Sequence, residues 1–189
     1  MNFIDAERKD RLDTLRDYIS KKLENKSEVN LIFICVQNSR RSHLAQVIAQ
    51  HQAFLNNIKN IHCYSGGVEV TRIHPNTLKT LEKLNYKIYQ KSGGENPVYE
   101  LFYDTQQPPI LLYSKAFEEV TKQLKEFAAV MVCSETETNC PYVPEAEKKI
   151  LIPYDDPKSA DASANPLEKY LSVAHQIESE MKYVFSNIK

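Results

Sequence analysis

The chain lacks most features that mark a special class of protein. No segment approaches the about 20 consecutive apolar residues of a membrane helix, and the opening MNFIDAERKDRLDTLRDYISKK has no apolar core of signal-peptide length. A cytoplasmic protein with no membrane partner is the expectation. Neither sign of charge dominates: 24 basic and 25 acidic residues are mixed along the chain, which argues against a nucleic-acid surface. CxxC pairs are absent and the histidines are scattered, so a closed zinc site is not expected, and no metal or other cofactor is called for. Cys35, Cys63, Cys133 and Cys140 therefore read as thiols or redox catalysts rather than as a structural disulfide framework. Repeats and low-complexity segments are missing too, and 189 residues suffice for one domain with a sizeable core but not for two enzymatic ones.

What is present has the rhythm of an α/β protein. Leu12, Leu15, Ile19 and Leu23 share one face of a helix over residues 3–25 that ends at KSEVN. That face is expected to pack on the domain's own sheet, with a homodimer contact as the alternative use. LIFIC (31–35) is a short apolar run bounded by polar residues, as in buried parallel strands, and IHCYSGG, AAVMVC (128–133) and ILIP (150–153) read as three more. Helices follow the first two: one carries Ala45, Val47, Ile48, Phe54 and Leu55, the other starts at Pro75 and aligns Leu78, Leu81 and Leu84. A final helix has Asn165 as its expected cap, Pro166 in the first turn and Glu168 at the capping-box position. Alternating strands and helices predict a three-layer, doubly wound, parallel four-stranded sheet. The division is an N-terminal helical extension over 1–28 and a catalytic domain over 29–189. Residues 91–114, rich in Gly, Pro and aromatics, read as an inserted irregular loop near the site.

In such sheets ligands bind at the carboxyl ends of strands, where Cys35, Cys133 and the segment after Pro153 all fall. CVQNSRRS spaces Cys35 and Arg41 as CX5R between a strand and a helix. A turn entering a helix aims several backbone N–H groups at one point, so Val36, Gln37, Asn38, Ser39, Arg40 and Arg41 form a candidate oxyanion loop. The planar fork of Arg41 suits two oxygens of a tetrahedral anion. In that positive field Cys35 loses its proton more easily and becomes a nucleophile, with Ser42 placed to donate a hydrogen bond to the sulfur. A general acid is needed as well. In IPYDDPKS, Asp156 precedes Pro157, which restricts its backbone to extended geometry; Asp155 is its rival.

CVQNSRRS followed by a late DDP resembles the low-molecular-weight protein tyrosine phosphatase superfamily, and CSETETNCPYVP makes the chain most similar to its thioredoxin-coupled arsenate reductase branch. The resemblance covers roughly residues 30–188. It implies a phosphatase-I-like fold and a three-cysteine relay. Cys35 attacks arsenate held by the loop and Arg41 while Asp156 helps to expel water. Cys133 then attacks Cys35, Cys140 attacks Cys133, and the Cys133–Cys140 disulfide goes to thioredoxin. Asn38 would lock the loop and Ser65 support it. The chain departs from the pattern where Gln37 replaces a glycine, a substitution that would cost on the order of 1 kcal/mol if the position needs positive φ. Arg40 replaces a second loop cysteine and adds a positive charge facing site or solvent. Gln46 stands where a potassium site would want an acidic ligand.

Arsenate and phosphate are alike in shape and charge, so a phosphotyrosine phosphatase working through phosphocysteine at Cys35 is the alternative. Lys158 and Ser159 follow Asp-Pro where such phosphatases carry tyrosines, although Tyr99, Phe102, Tyr103 and Tyr113 of the insertion offer replacement walls. A noncatalytic oxyanion or redox sensor is a further alternative, motivated by the altered loop.

Overall fold

The computed structural model describes residues 5–134 and 141–188. Its centre is a parallel four-stranded sheet in the order β2-β1-β6-β7, formed by β1 (Val29–Cys35), β2 (Ile61–Gly67), β6 (Ala128–Met131) and β7 (Lys148–Leu151). Side chains alternate across a strand, so β1 feeds both faces. Leu31, Phe33 and Cys35 join the larger core beneath α1 (Ala6–Glu24), α2 (Arg41–Leu55) and α5 (Pro166–Ser186). Ile32 and Ile34 face the other way, onto Phe117 and Val120 of α4 (Phe117–Thr121). Helices on both faces of a buried parallel sheet make the three-layer α/β arrangement that the apolar runs predict. No described helix is long and apolar enough to cross a membrane.

Helix α1 begins at Asp5, whose carboxylate accepts from Arg8 N at 2.7 Å. Its apolar face is covered within the chain: Leu12, Leu15 and Ile19 are fully buried in the main core. Arg8 adds a polar anchor. Its guanidinium donates to both carboxylate oxygens of Glu180 on α5, at 2.9 and 2.7 Å, and to the carbonyl of Pro153 at 2.8 Å. The helix therefore holds both α5 and the segment that leads to Asp156.

Two local expectations need correction. Residues 91–114 are not an irregular loop, because β4 (Tyr99–Phe102) and β5 (Ile110–Leu112) lie within them and join β3 (Lys87–Gln90) in an antiparallel sheet. Strands of three or four residues are too short for their alternation to stand out, yet Leu101 and Leu112 are fully buried. The segment is clasped by Asn96, which donates to Ser114 O at 2.7 Å and accepts from Ser114 N at 3.1 Å. At the start of α5 the Asn165 side chain does not cap the helix. Its amide reaches Glu168 instead, at 3.5 Å, and Pro166 in the first turn already removes one N–H that a cap would serve. Helix α3 (Pro75–Lys83) starts at Pro75 as expected, with Leu81 buried and Leu78 and Leu84 packed at the core's edge.

Candidate active site

The loop Val36–Arg40 joins β1 to α2, and its carbonyl oxygens are all used outside it. Val36 O accepts from the N–H groups of Val68 and Glu69, at 2.8 and 2.9 Å. Gln37 O accepts from the hydroxyls of Ser114 and Thr71, Asn38 O from His43 Nε2 at 2.9 Å, and Ser39 O from His74 N and the Thr77 hydroxyl. A trans peptide points its N–H away from its C=O, so tying the carbonyls to the scaffold turns the N–H side of the loop toward the cup. The loop runs directly into the first turn of α2, whose N–H groups belong to a helix N-terminus. A cleft of about 390 Å3 opens there, lined by Cys35, Val36, Gln37, Ser39, Arg40, Arg41, Ser134, Asp156 and Lys158.

Positive φ falls on Asn38 (φ 43°), not on Gln37, so the missing glycine carries no strain. Asparagine tolerates this region and uses its side chain to hold the turn. Asn38 Nδ2 donates to Ser42 Oγ at 2.8 Å and Asn38 Oδ1 accepts from Lys115 N at 2.9 Å. The Ser42 hydroxyl lies 3.1 Å from Cys35 Sγ. The glycine that matters is on the neighbouring strand: a Cβ on Gly67 would sit 2.6 Å from Asn38 N and 2.8 Å from Val36 O. This close approach lets β2 support the loop from behind.

His43 completes the network, and no motif in the sequence points to it. Asn38 O can only accept, so Nε2 carries the proton, and Nδ1 accepts from the Ser65 hydroxyl at 3.3 Å. Full burial, aided by the nearby Lys115 charge, pushes the imidazole down to about 3 and keeps it neutral. Ser65 thus reaches the loop through His43. The path runs Ser65, His43, Asn38, Ser42, Cys35.

The two arginines have different partners. Arg41 Nη2 donates to Asp156 Oδ2 at 2.8 Å and its Nη1 to Tyr154 O at 3.2 Å, which brings the fork and the candidate acid together over the loop. Asp156 is extended, at φ −76° and ψ 116°, as its proline requires. Asp155 points elsewhere: it is exposed, pairs with Lys169 at 2.8 Å and does not line the cleft. Arg40, expected to face site or solvent, lines the cleft and donates to Tyr170 Oη at 2.7 Å and to Asp161 Oδ2 at 2.6 Å. Burial opposes the charge on Asp161, but hydrogen bonds from Tyr170 and Arg40 outweigh it and hold the carboxyl low. Arg40 fastens the loop to α5, and its charge is balanced there.

Cys133 follows β6 and is fully buried in the same core cluster as Cys35. Its Sγ lies 3.7 Å from the carbonyl oxygen of Ile34, the residue before Cys35. Cys140 lies outside the described residues. Cys63 packs in β2, and burial pushes its thiol up, away from reactivity. Gln46 donates to Cys63 O at 3.0 Å and offers only a neutral amide beneath the loop. The aromatics of the insertion do not wall the cleft. Phe102 packs on Tyr89, Tyr103 on His51 and Phe54, Tyr99 on the core, and Tyr113 lines a different cavity.

Among solved structures the chain is similar to an arsenate reductase from Archaeoglobus fulgidus, with 18% identity and a TM-score of 0.56 over 83% of this chain and 99% of that one. It is also similar to a low molecular weight phosphotyrosine phosphatase from Vibrio cholerae, at 14% identity and TM-score 0.53 over 84% and 95% of the chains. A low molecular weight protein tyrosine phosphatase from Bacillus subtilis aligns at 12% identity and TM-score 0.52 over 84% and 95% of the chains. Likeness at these identities shows a shared fold. No curated protein sequence matches. The sequence model of one family does match, over residues 30–189, which takes in every element of the parallel sheet but the first residue of β1. The chain belongs to the low molecular weight phosphotyrosine protein phosphatase family.

Proposed function

We propose that the protein reduces arsenate to arsenite through Cys35, Cys133 and Cys140, with thioredoxin as the reductant. The carrying observation is the position of Cys133. Its sulfur is 3.7 Å from the carbonyl oxygen of the residue before Cys35, just past the carboxyl end of the neighbouring strand, which supports Cys133 as the thiol next to react in the relay. Asp156 and Arg41 pair with each other, and an incoming oxyanion takes over the Arg41 fork. Cys35 thiolate then attacks As(V), and a hydroxyl leaves as water with a proton from Asp156. Cys133 attacks Cys35 sulfur; the Cys35–As bond breaks, its electron pair stays on arsenic, and arsenite departs as As(III). Cys140 attacks Cys133, releases Cys35 thiolate and leaves the Cys133–Cys140 disulfide for thioredoxin. Two thiols are oxidised for each two-electron reduction of arsenic.

The cleft mouth supports a small inorganic substrate. Among the described residues that line the cleft none is aromatic, so none offers a ring to stack on a phenyl group. The second reading, a phosphatase working through phosphocysteine, is favoured by Asp156 above the loop, where a general acid for a leaving alcohol belongs. NADPH consumption with thioredoxin and thioredoxin reductase, with and without arsenate, separates the two. Arsenate-dependent turnover that disappears in both C133S and C140S is the expected result. Aryl phosphate hydrolysis that needs Cys35 but neither other cysteine, with no arsenate turnover, would replace the reductase with the phosphatase.

A further inference from the structure

A second cavity, of about 440 Å3, lies beside β2, the edge strand of the parallel sheet, where α2, β5 and α4 approach it. None of the residues that line it lines the catalytic cleft. Two of its polar side chains are buried and short of partners. Gln46 is 4% exposed, and its Nε2 is spent on the carbonyl of Cys63. Its Oε1 is the one buried side-chain nitrogen or oxygen without a hydrogen-bond partner among the described residues. Lys115 is 7% exposed. Its ammonium donates to Tyr113 O at 3.3 Å, lies 4.4 Å from the centre of the Tyr113 ring, and makes no ion pair among the described residues. Burial lowers Lys115 to about 8, with the exposed Glu119 opposing.

Folds rarely leave a buried acceptor without a donor or a buried ammonium without a counter-charge, because both groups give up their water. The two gaps are opposite in kind. Gln46 Oε1 can only accept, so it calls for an N–H or O–H; Lys115 can only donate, and one ammonium matches one negative charge. A water could serve the glutamine but would not neutralise the lysine, and the cavity has room for far more than one water. Ile110, Leu111, Val120 and Leu124 supply an aliphatic wall, and Leu111 is left 44% exposed. A few convergent polar groups beside apolar walls, in a cavity of this size, are the pattern of a small-molecule site. A phosphate dianion is poorly matched by a single lysine with Glu119 nearby, whereas a carboxylate on an apolar body suits both the charge and the wall.

We propose that this cavity binds a small organic monocarboxylate that also carries an N–H or O–H donor. The carboxylate pairs with Lys115, the donor bonds to Gln46 Oε1, and the apolar body covers the aliphatic wall. Neither the reductase nor the phosphatase reading enters, since the two sites share no lining residue.

N-acetyl-L-leucine, which has a carboxylate, an amide N–H and an aliphatic body, is the probe, followed by 1H–15N NMR on the whole chain. With about a dozen heavy atoms it should bind in the low millimolar range. The largest shifts are expected at the amides of Leu111, Lys115 and Val120, with or without inorganic phosphate. The methyl ester of the probe lacks the charge and should bind about tenfold more weakly or worse; 2-acetoxy-4-methylpentanoate, with an ester oxygen in place of the N–H, should bind about fivefold more weakly. Lys115→Met should weaken the acid by the factor that the ester loses, yet leave the ester unchanged. Largest shifts at residues 36–41 that phosphate abolishes would place the carboxylate in the catalytic cup and overturn the proposal. No shifts up to about 20 mM, or either analogue binding wild type as well as the acid does, overturn it too, and both are read without a variant that could fail to fold.

Discussion

Replacing His43 by glutamine isolates the pH dependence built into the loop support. Glutamine can donate to Asn38 O and accept from Ser65 as the imidazole does, but it cannot take up a proton. In the folded protein burial holds His43 near 3, against an ordinary value of 6.5. Below 6.5 the unfolded chain therefore binds a proton that the folded protein refuses. The sign follows: this contribution to stability is whole above pH 6.5 and is lost progressively as pH falls toward 3. Between about pH 7.5 and about pH 5 the loss is about 2 kcal/mol. Carboxylates titrate in the same range, but they are common to both proteins and cancel in the difference. Urea unfolding of wild type and H43Q at several pH values measures it. Wild type should lose about 2 kcal/mol more than H43Q across that interval. Parallel stability curves would show that His43 charges readily in the fold, and the argument from burial would be wrong.

Other consequences follow from the same contacts. D156N should lower turnover by about 10²-fold or more, while D155N, whose carboxylate is exposed and faces Lys169, stays near wild type; kcat/KM of both decides between the two acids. Arg8→Met leaves Glu180 buried without its cation, and should destabilise the protein by about 3 kcal/mol in urea unfolding, the low end of such effects because Tyr154 and Gln176 still bond the carboxylate. Leu15→Ala empties a fully buried site beneath α1, and its cost should fall within about 2–5 kcal/mol; a negligible change would mean that α1 is only an appendage. Asn38→Ala removes a residue that tolerates positive φ together with hydrogen bonds to Ser42 and Lys115, so it should slow Cys35 alkylation as well as turnover, whereas an effect on turnover alone would contradict its role in holding the nucleophile.

Local patterns in the chain were enough for the parallel sheet and the site's chemical order. An apolar pentapeptide such as LIFIC has no polar face to present, and its shortness and polar flanks mark it as a buried strand. The linear spacing of Cys35, Arg41 and Ser42 across one strand-to-helix turn leaves few ways to arrange them. Their neighbours in space come from elsewhere in the chain, and pairwise contact across many residues leaves no periodic trace. Only the folded structure put His43 between Ser65 and Asn38, turned Arg40 to Asp161 and Tyr170, and set Asp156 beside Arg41 while Asp155 pairs with Lys169. It also made a small sheet from strands too short to betray their alternation, and took Tyr113 away from the cleft to lie against Lys115. Sequence determined which groups could do the chemistry, because the covalent chain delivers them together. Tertiary packing decided their charge and partners, because burial and opposing charge exist only once distant segments meet.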